Sequence, residues 1–114
     1  MPLITEEVKR FLEYALFEDI GQSDITTDTV FENDFIINAQ LIVRQSCVLA
    51  GLPFFKETFR MLDRNIKFTD FACDGSLAKR NAIVCSISGY LKPILAGERV
   101  ALNIISHLSG IATI

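Results

Sequence analysis

The chain has 114 residues, half of them apolar, and a formal net charge of −3 at neutral pH. This length fits one domain, and an acidic balance without a run of Lys and Arg excludes nucleic-acid binding driven by charge. No apolar stretch reaches the roughly 18 residues that span a membrane and no secretion signal opens the chain, so we expect a cytoplasmic protein that binds neither membrane nor nucleic acid.

The first predicted element is a helix over residues 5–17. Its apolar residues recur at helical spacing on one face: Val8, Phe11, Leu12, Ala15 and Leu16. Thr5 is placed to cap the helix, and Gly21 predicts its end a few residues later. The polar and β-branched segment 23–29 that follows predicts an ordered loop.

Alternation of apolar and polar residues predicts a strand over residues 35–44. Its inward face would consist of Phe35, Ile37, Ala39, Leu41 and Val43. An extended segment at 47–50 comes next. Gly51 and Pro53 then predict the start of a second helix, which ends at Asp63. The apolar stripe of that helix is formed by Phe55, Phe59 and Leu62.

The second half of the chain predicts two more strands and one long helix. The strands cover 65–71 and 82–88 and are separated by turns at 74–75 and 80–81, the latter with an asparagine that tolerates a left-handed backbone. The helix covers about 93–108 and opens with a proline. This order of helix, strand, helix, strands and helix is typical of an α+β fold.

The last helix carries a polar stripe at helical spacing, made of Arg99, Asn103, Ser106 and Gly110, with His107 beside it. The opposite, apolar face consists of Ile94, Ala101, Ile104, Ile105 and Leu108. Arg99 is the strongest candidate site residue, because its planar guanidinium can bind a carboxylate or a phosphate through two hydrogen bonds. The alternative interpretation is that the polar stripe is an ordinary solvent-exposed helix face, and the spacing alone favours this alternative.

The remaining polar candidates are interpreted as structural. Glu98 points about 100° away from Arg99 on a helix, so it need not neutralise that charge. His107 is interpreted as a packing or helix-end residue, and segment 24–27 lacks the glycines and the Lys of a phosphate loop. The three cysteines show no metal-ligand spacing and are interpreted as buried thiols in a reducing compartment. The residues alone therefore predict no reaction and no metal site.

Four segments resemble, in the same order, motifs of the quinolinate phosphoribosyltransferase family. Residues 16–27 resemble its EDxGxGDxTT segment, 48–51 its GVLAG segment, and 74–75 the DG of its central hairpin. Residues 97–113 resemble its ERxxLN…LSGIAT helix and the loop after it. Together these segments cover nearly the whole chain, and the last one is specific.

The resemblance implies an enzyme of NAD biosynthesis that joins quinolinate to phosphoribosyl pyrophosphate, giving nicotinate mononucleotide, carbon dioxide and pyrophosphate, with Mg²⁺ in the intact enzyme. It implies a hammerhead-like amino-terminal α/β sandwich with an antiparallel sheet over residues 1–108, and the start of a connection to an absent α/β barrel at 109–114. It also implies a homodimer or larger homo-oligomer in which Arg99 reaches the neighbouring subunit's site. We expect no catalytic residue and no metal in these 114 residues, and no activity from them alone.

Two alternatives remain open. The molybdenum-transport-associated phosphoribosyltransferase paralogue resembles the same motifs. Only the carboxylate-binding cations of the barrel would distinguish it from the quinolinate enzyme. A free-standing, non-catalytic binding module would fit the apolar composition and the missing catalytic set. That reading predicts a stop codon directly after Ile114. We also expect the chain to associate through the apolar face that the barrel would cover.

Overall fold

The computed structural model describes residues 5–30 and 34–114, with side chains for 5–19 and 34–114. The helices are α1 (Glu6–Val30), α2 (Leu52–Leu62) and α3 (Leu91–Thr113). The strands are β1 (Ile36–Ile42), β2 (Cys47–Val48), β3 (Lys67–Asp70), β4 (Leu77–Ala78) and β5 (Ile83–Tyr90). The predicted α+β class is confirmed.

Two antiparallel sheets organise the strands. The larger has the order β1-β5-β3, and Ile87 of β5 lies opposite Ala39 on one side and Phe68 on the other. The smaller pairs β2 with β4, so that Cys47 lies opposite Ala78. The sheets are antiparallel, as the family resemblance implies.

The main core lies between the larger sheet and helices α2 and α3. Its fully buried side chains include Phe55 and Phe59 of α2, which meet edge to face with ring centroids 5.2 Å apart. Helix α1 packs chiefly against α3 and buries Leu12 and Leu16. The fold is therefore a sheet covered by two helices, with a third helix laid against α3.

The strand and helix with the clearest local patterns form where they are predicted. In β1 the residues at 37, 39 and 41 are the less exposed ones, as the alternation predicts. Phe35 differs: it directly precedes the strand, and its side chain is half exposed. Helix α2 has Gly51 as its N-cap and Asp63 as its C-cap, and Asn81 takes the predicted left-handed backbone with φ 70°.

Two predicted helix ends and one loop are wrong. Helix α1 continues to Val30, so the predicted end near residue 21 and the loop at 23–29 are not observed. No proline interrupts this segment, and one glycine costs a helix only about 1 kcal/mol relative to alanine. Helix α3 continues past 108 to Thr113 and begins at Leu91, since a proline in the first turn removes no helical hydrogen bond.

The cysteines also differ from the expectation. Cys85 is fully buried, whereas Cys47 is half-buried and Cys73 is exposed. Cys73 precedes the turn at 74–75 and lies outside both sheets, and its side chain is exposed. Among the helices described, none is both long and apolar enough to cross a membrane.

Candidate functional site

Arg99 lies on the outer side of α3, where helix α1 passes. Its side chain is 66% exposed, and its Nη1 atom lies 3.5 Å from Oδ1 of Asp19, whose side chain is 12% exposed. The pair joins the two helices across their contact. Arg99 is therefore neither buried nor turned away from solvent, although it has an acidic neighbour within its own domain.

Arg99 borders an open groove between α1 and α3. The narrower part of the groove encloses about 360 Å³ beside Arg99, Asp19 and Glu18. The wider part encloses about 800 Å³ and is almost entirely apolar. The two parts meet at a common wall formed by Phe11, Asn103 and Ile104. We call this combined surface the α1–α3 groove.

The charges at the narrow part of the groove do not favour an anion by themselves. Glu18 accepts a hydrogen bond from Tyr14, and this bond, together with the charge of Glu18, raises the pKa of the Tyr14 hydroxyl. Glu18 and Asp19 carry two negative charges against the single positive charge of Arg99. An anion bound tightly here would therefore need further cations from another surface.

The polar stripe predicted on the last helix is present. Asn103, Ser106 and Gly110 are exposed on α3, as is His107. Asn103 is shared by both parts of the groove, while Ser106 and His107 line its wide part. Glu98 is also exposed, as predicted, and lines a separate cavity of about 200 Å³ near the β1 side of α3.

The end of α3 is fastened to the segment before α2 by side-chain hydrogen bonds. The hydroxyl of Ser109 accepts a hydrogen bond from the Ala50 amide at 3.0 Å and donates one to the Ala50 carbonyl at 3.1 Å. The Thr113 hydroxyl accepts from the Val48 amide at 3.0 Å and donates to the Ser109 carbonyl at 2.7 Å. These contacts fix α3, and hence the backbone that carries Arg99.

The turn at 74–75 holds the start of α2. The two carboxylate oxygens of Asp74 accept hydrogen bonds from the Gly51 and Leu52 amides, each at 3.0 Å. Gly51 has φ 98°, and a Cβ atom there would lie 2.8 Å from Cδ1 of Leu108. Only glycine fits this crossing without strain. The segment at 48–51 is thus in contact with both the turn at 74–75 and the end of α3 at 108–113.

A second polar cluster was not predicted from the sequence. Nζ of Lys56 lies 2.7 Å from Oδ2 of Asp70, and Sγ of Cys85 donates to Oδ1 of Asp70 at 3.5 Å. Burial, and then the Asp70 charge and hydrogen bond, raise the pKa of Cys85 to about 11. This thiol stays protonated near neutral pH. The three residues come from α2, β3 and β5, so no local pattern in the sequence could reveal them.

Comparison with known proteins identifies the family. A family model described as quinolinate phosphoribosyl transferase, N-terminal domain, matches residues 24–109. The chain belongs to this family. Curated relatives include a probable carboxylating nicotinate-nucleotide pyrophosphorylase of Bacillus subtilis, 33% identical over 107 residues, and one of Synechocystis, 36% identical over 103 residues.

Solved structures agree with the assignment to the quinolinate phosphoribosyl transferase N-terminal family. The structure of NadC from Streptococcus pyogenes matches with a TM-score of 0.90 at 33% identity, over 97% of this chain and 40% of that one. The nicotinate-nucleotide pyrophosphorylase of Francisella tularensis matches with a TM-score of 0.89 at 34% identity, over 98% and 39%. The resemblance found in the motifs is thereby confirmed.

The chain spans little more than a third of the curated relatives it matches. The match with the Bacillus subtilis relative includes 94% of this chain and 37% of the relative. The match with the Synechocystis relative includes 90% of this chain and 35% of the relative. These relatives support neither the molybdenum-transport-associated paralogue nor the free-standing module. The matched part is the amino-terminal domain that the family model describes.

Across 5–19 and 34–114, no three His, Cys, Asp or Glu side chains lie close enough together to hold a metal ion. Mg²⁺ prefers near-octahedral oxygen ligands, one or two of them carboxylates. Segment 24–27 was considered in the sequence as a metal or phosphate loop. Its backbone is part of α1, and its side chains lie outside the described residues.

Proposed function

We propose that this chain is the substrate-covering, amino-terminal domain of a quinolinate phosphoribosyltransferase. The intact enzyme would convert quinolinate and phosphoribosyl pyrophosphate to nicotinate mononucleotide, carbon dioxide and pyrophosphate, as a step of NAD biosynthesis in the cytoplasm. Residues 1–108 would form the domain, and 109–114, the end of α3, would lead towards a barrel domain. The observation that carries this proposal is the exposed guanidinium of Arg99 on a firmly anchored helix.

Arg99 suits the recognition of a dicarboxylate. Its side chain is 66% exposed, and its five N–H donors in a planar fork can bind a carboxylate through two bonds. Because α3 is held at its far end by Ser109 and Thr113, the guanidinium starts from a rigid backbone. Rigidity lowers the entropy that substrate positioning would otherwise cost.

The site proposed here is completed by another subunit. The carboxylates of Glu18 and Asp19 outweigh the single charge of Arg99, so this surface alone would hold a doubly negative ligand weakly. Cations of a barrel domain would supply the remaining positive charge and any Mg²⁺ site. In this arrangement Arg99 neutralises part of the quinolinate charge, which lowers the cost of bringing two anionic substrates together.

Exposed aromatic side chains on α1 support an assembly larger than one chain. Phe11, Tyr14 and Phe17 are 61%, 64% and 80% exposed. Contiguous apolar patches on soluble domains mark contact surfaces. We propose that a neighbouring subunit of a homodimer or larger homo-oligomer covers these aromatic side chains. Sedimentation of the 114-residue chain at high concentration should show association, and a clean monomer would contradict the expectation.

Kinetics of the intact enzyme test the role of Arg99. Arg99→Ala should raise the KM for quinolinate roughly ten- to a hundredfold, since a hydrogen bond to a charged group contributes about 1.5–3 kcal/mol. Arg99→Lys should restore only part of the loss, because an ammonium lacks the fork. Arg64→Ala, in the exposed turn after α2, is the matched control and should leave the KM unchanged. Unaltered quinolinate dependence in Arg99→Ala would overturn the assignment.

A further inference from the structure

We infer that Asp19 is a positioning residue that sets the direction of the Arg99 guanidinium. This inference rests on the proposed function of Arg99 and names a second residue for the same site. The side chains of Asp19 and Arg99 differ in their exposure to solvent. Asp19 is 12% exposed and Arg99 is 66% exposed, so the acid is the fixed partner and the cation the free one.

Asp19 is held in place by the packing of its own helix. Leu12 and Leu16 of α1 are buried, 1% and 4% exposed, and Asp19 follows them at i+7 and i+3 on the same face. That face rests on α3, so the Asp19 carboxylate is presented to α3 by a packed backbone. The long, flexible Arg99 side chain then adapts to the carboxylate, and not the reverse.

The contact between the two side chains leaves most of the guanidinium available. It joins one oxygen, Oδ1, to one nitrogen, Nη1, at 3.5 Å. A guanidinium has five N–H donors, so a single long contact leaves enough of them for a carboxylate ligand. Asp19 thus restricts the orientation of Arg99 without occupying its fork, and a ligand would not have to break the pair.

Glu18 supplies the comparison that isolates positioning from charge. It lies next to Asp19 in the chain and lines the same narrow part of the groove. Its carboxylate is engaged by the Tyr14 hydroxyl, whereas that of Asp19 meets Arg99. Removing either acid takes one negative charge from the groove. Only the removal of Asp19 should release the guanidinium.

The test is a double-mutant cycle in the intact enzyme. Asp19→Ala, Asp19→Asn and Glu18→Ala are each made alone and together with Arg99→Ala, and KM and kcat are measured for both substrates. Asp19→Ala should raise the quinolinate KM about two- to fivefold, the range expected for a partly exposed ion pair, with kcat nearly unchanged. Asp19→Asn keeps an oxygen acceptor and should recover part of that loss. Glu18→Ala removes a negative charge from the groove but keeps the Arg99–Asp19 contact, so it should lower the quinolinate KM.

The cycle separates the inference from a structural effect and from the proposed function. If Asp19 acts through Arg99, Asp19→Ala has no further effect on the quinolinate KM once Arg99 is alanine. An equal effect in both backgrounds, an unchanged KM, or a lowered KM that reveals Asp19 as a competitor of the substrate would each overturn the inference. If Arg99→Ala alone has no effect, the proposed function fails too. If it has its effect while Asp19→Ala does not, only the positioning role fails.

Discussion

Replacing Asp74 by alanine should destabilise the fold far more than its exposed position suggests. Both oxygens of its carboxylate accept backbone N–H groups at the start of α2, from Gly51 and Leu52 at 3.0 Å. Gly51 is buried and Leu52 is 3% exposed, so water would not readily replace the lost acceptor. The carboxylate also lies at the positive end of the α2 dipole.

The expected magnitude follows from these two contributions. Loss of a helix cap costs about 0.5–2 kcal/mol, and loss of a favourable charge at a helix start costs about 0.3–1 kcal/mol. We therefore expect Asp74→Ala to lower the free energy of unfolding by about 2 kcal/mol. For a domain of this size the melting temperature should fall by roughly 6–12 °C. Asp74→Asn should lose about half as much, because its amide group retains one acceptor oxygen.

Urea unfolding followed by far-ultraviolet circular dichroism measures this change. Glu13→Ala, an exposed acid on α1, is the control for the loss of one negative charge and should change the free energy by less than about 0.5 kcal/mol. If Asp74→Ala unfolds at the same urea concentration as the unchanged chain, the Asp74 carboxylate does not cap α2. The explanation of the 74–75 segment would then be wrong.

Other substitutions and labelling experiments test the remaining contacts. Gly51→Ala should destabilise the chain by roughly 1–2 kcal/mol in thermal unfolding, because its left-handed backbone disfavours a Cβ atom, and no loss would contradict that strain. Ser109→Ala should cost about 1–3 kcal/mol in urea unfolding, because it leaves both backbone groups of Ala50 unpaired, and a neutral result would show that α3 is held otherwise. A thiol reagent at pH 8 should label exposed Cys73 rapidly and Cys85 only on unfolding, and equal rates would refute the burial of Cys85. The pKa of Cys85 is raised to about 11 in the folded chain, so the contribution of its protonated thiol to stability is complete below the unfolded thiol pKa of about 8.5 and is lost as pH rises through 11. The free energy of unfolding should therefore fall with pH over this range, and Cys85→Ala should remove this part of the pH dependence. An identical pH dependence in both chains would contradict the prediction.

Local patterns in the sequence predicted the elements whose limits are set by local chemistry. Strand β1 follows from strict alternation, because neighbouring side chains of a strand point to opposite faces. Helix α2 follows from Gly51 before it and Asp63 after it, since both residues act on the backbone nearby. The exposed stripe of α3 followed from helical spacing in the same way.

The features that the sequence did not reveal depend on contacts between distant residues. The pairing of β2 with β4, the Asp74 cap and the Ser109 bridge each join segments more than 20 residues apart. The Arg99–Asp19 pair joins residues 80 positions apart. The ends of α1 and α3 also escaped prediction, because packing along a helix outweighs the small cost of a single glycine.

Subunit complementation tests most directly whether Arg99 serves the site of a neighbouring subunit. Intact Arg99→Ala enzyme is mixed, after dissociation and reassembly, with enzyme inactivated in its barrel domain. In a hybrid dimer one site then combines an unaltered barrel with an unaltered Arg99. At a quinolinate concentration near the KM of the unmodified enzyme, where Arg99→Ala is nearly inactive, we expect the mixture to regain about a quarter of the unmodified activity, because half of the randomly formed dimers are hybrids and each has one complete site. Activity no greater than the sum of the two separate variants would contradict a role for Arg99 across the subunit interface.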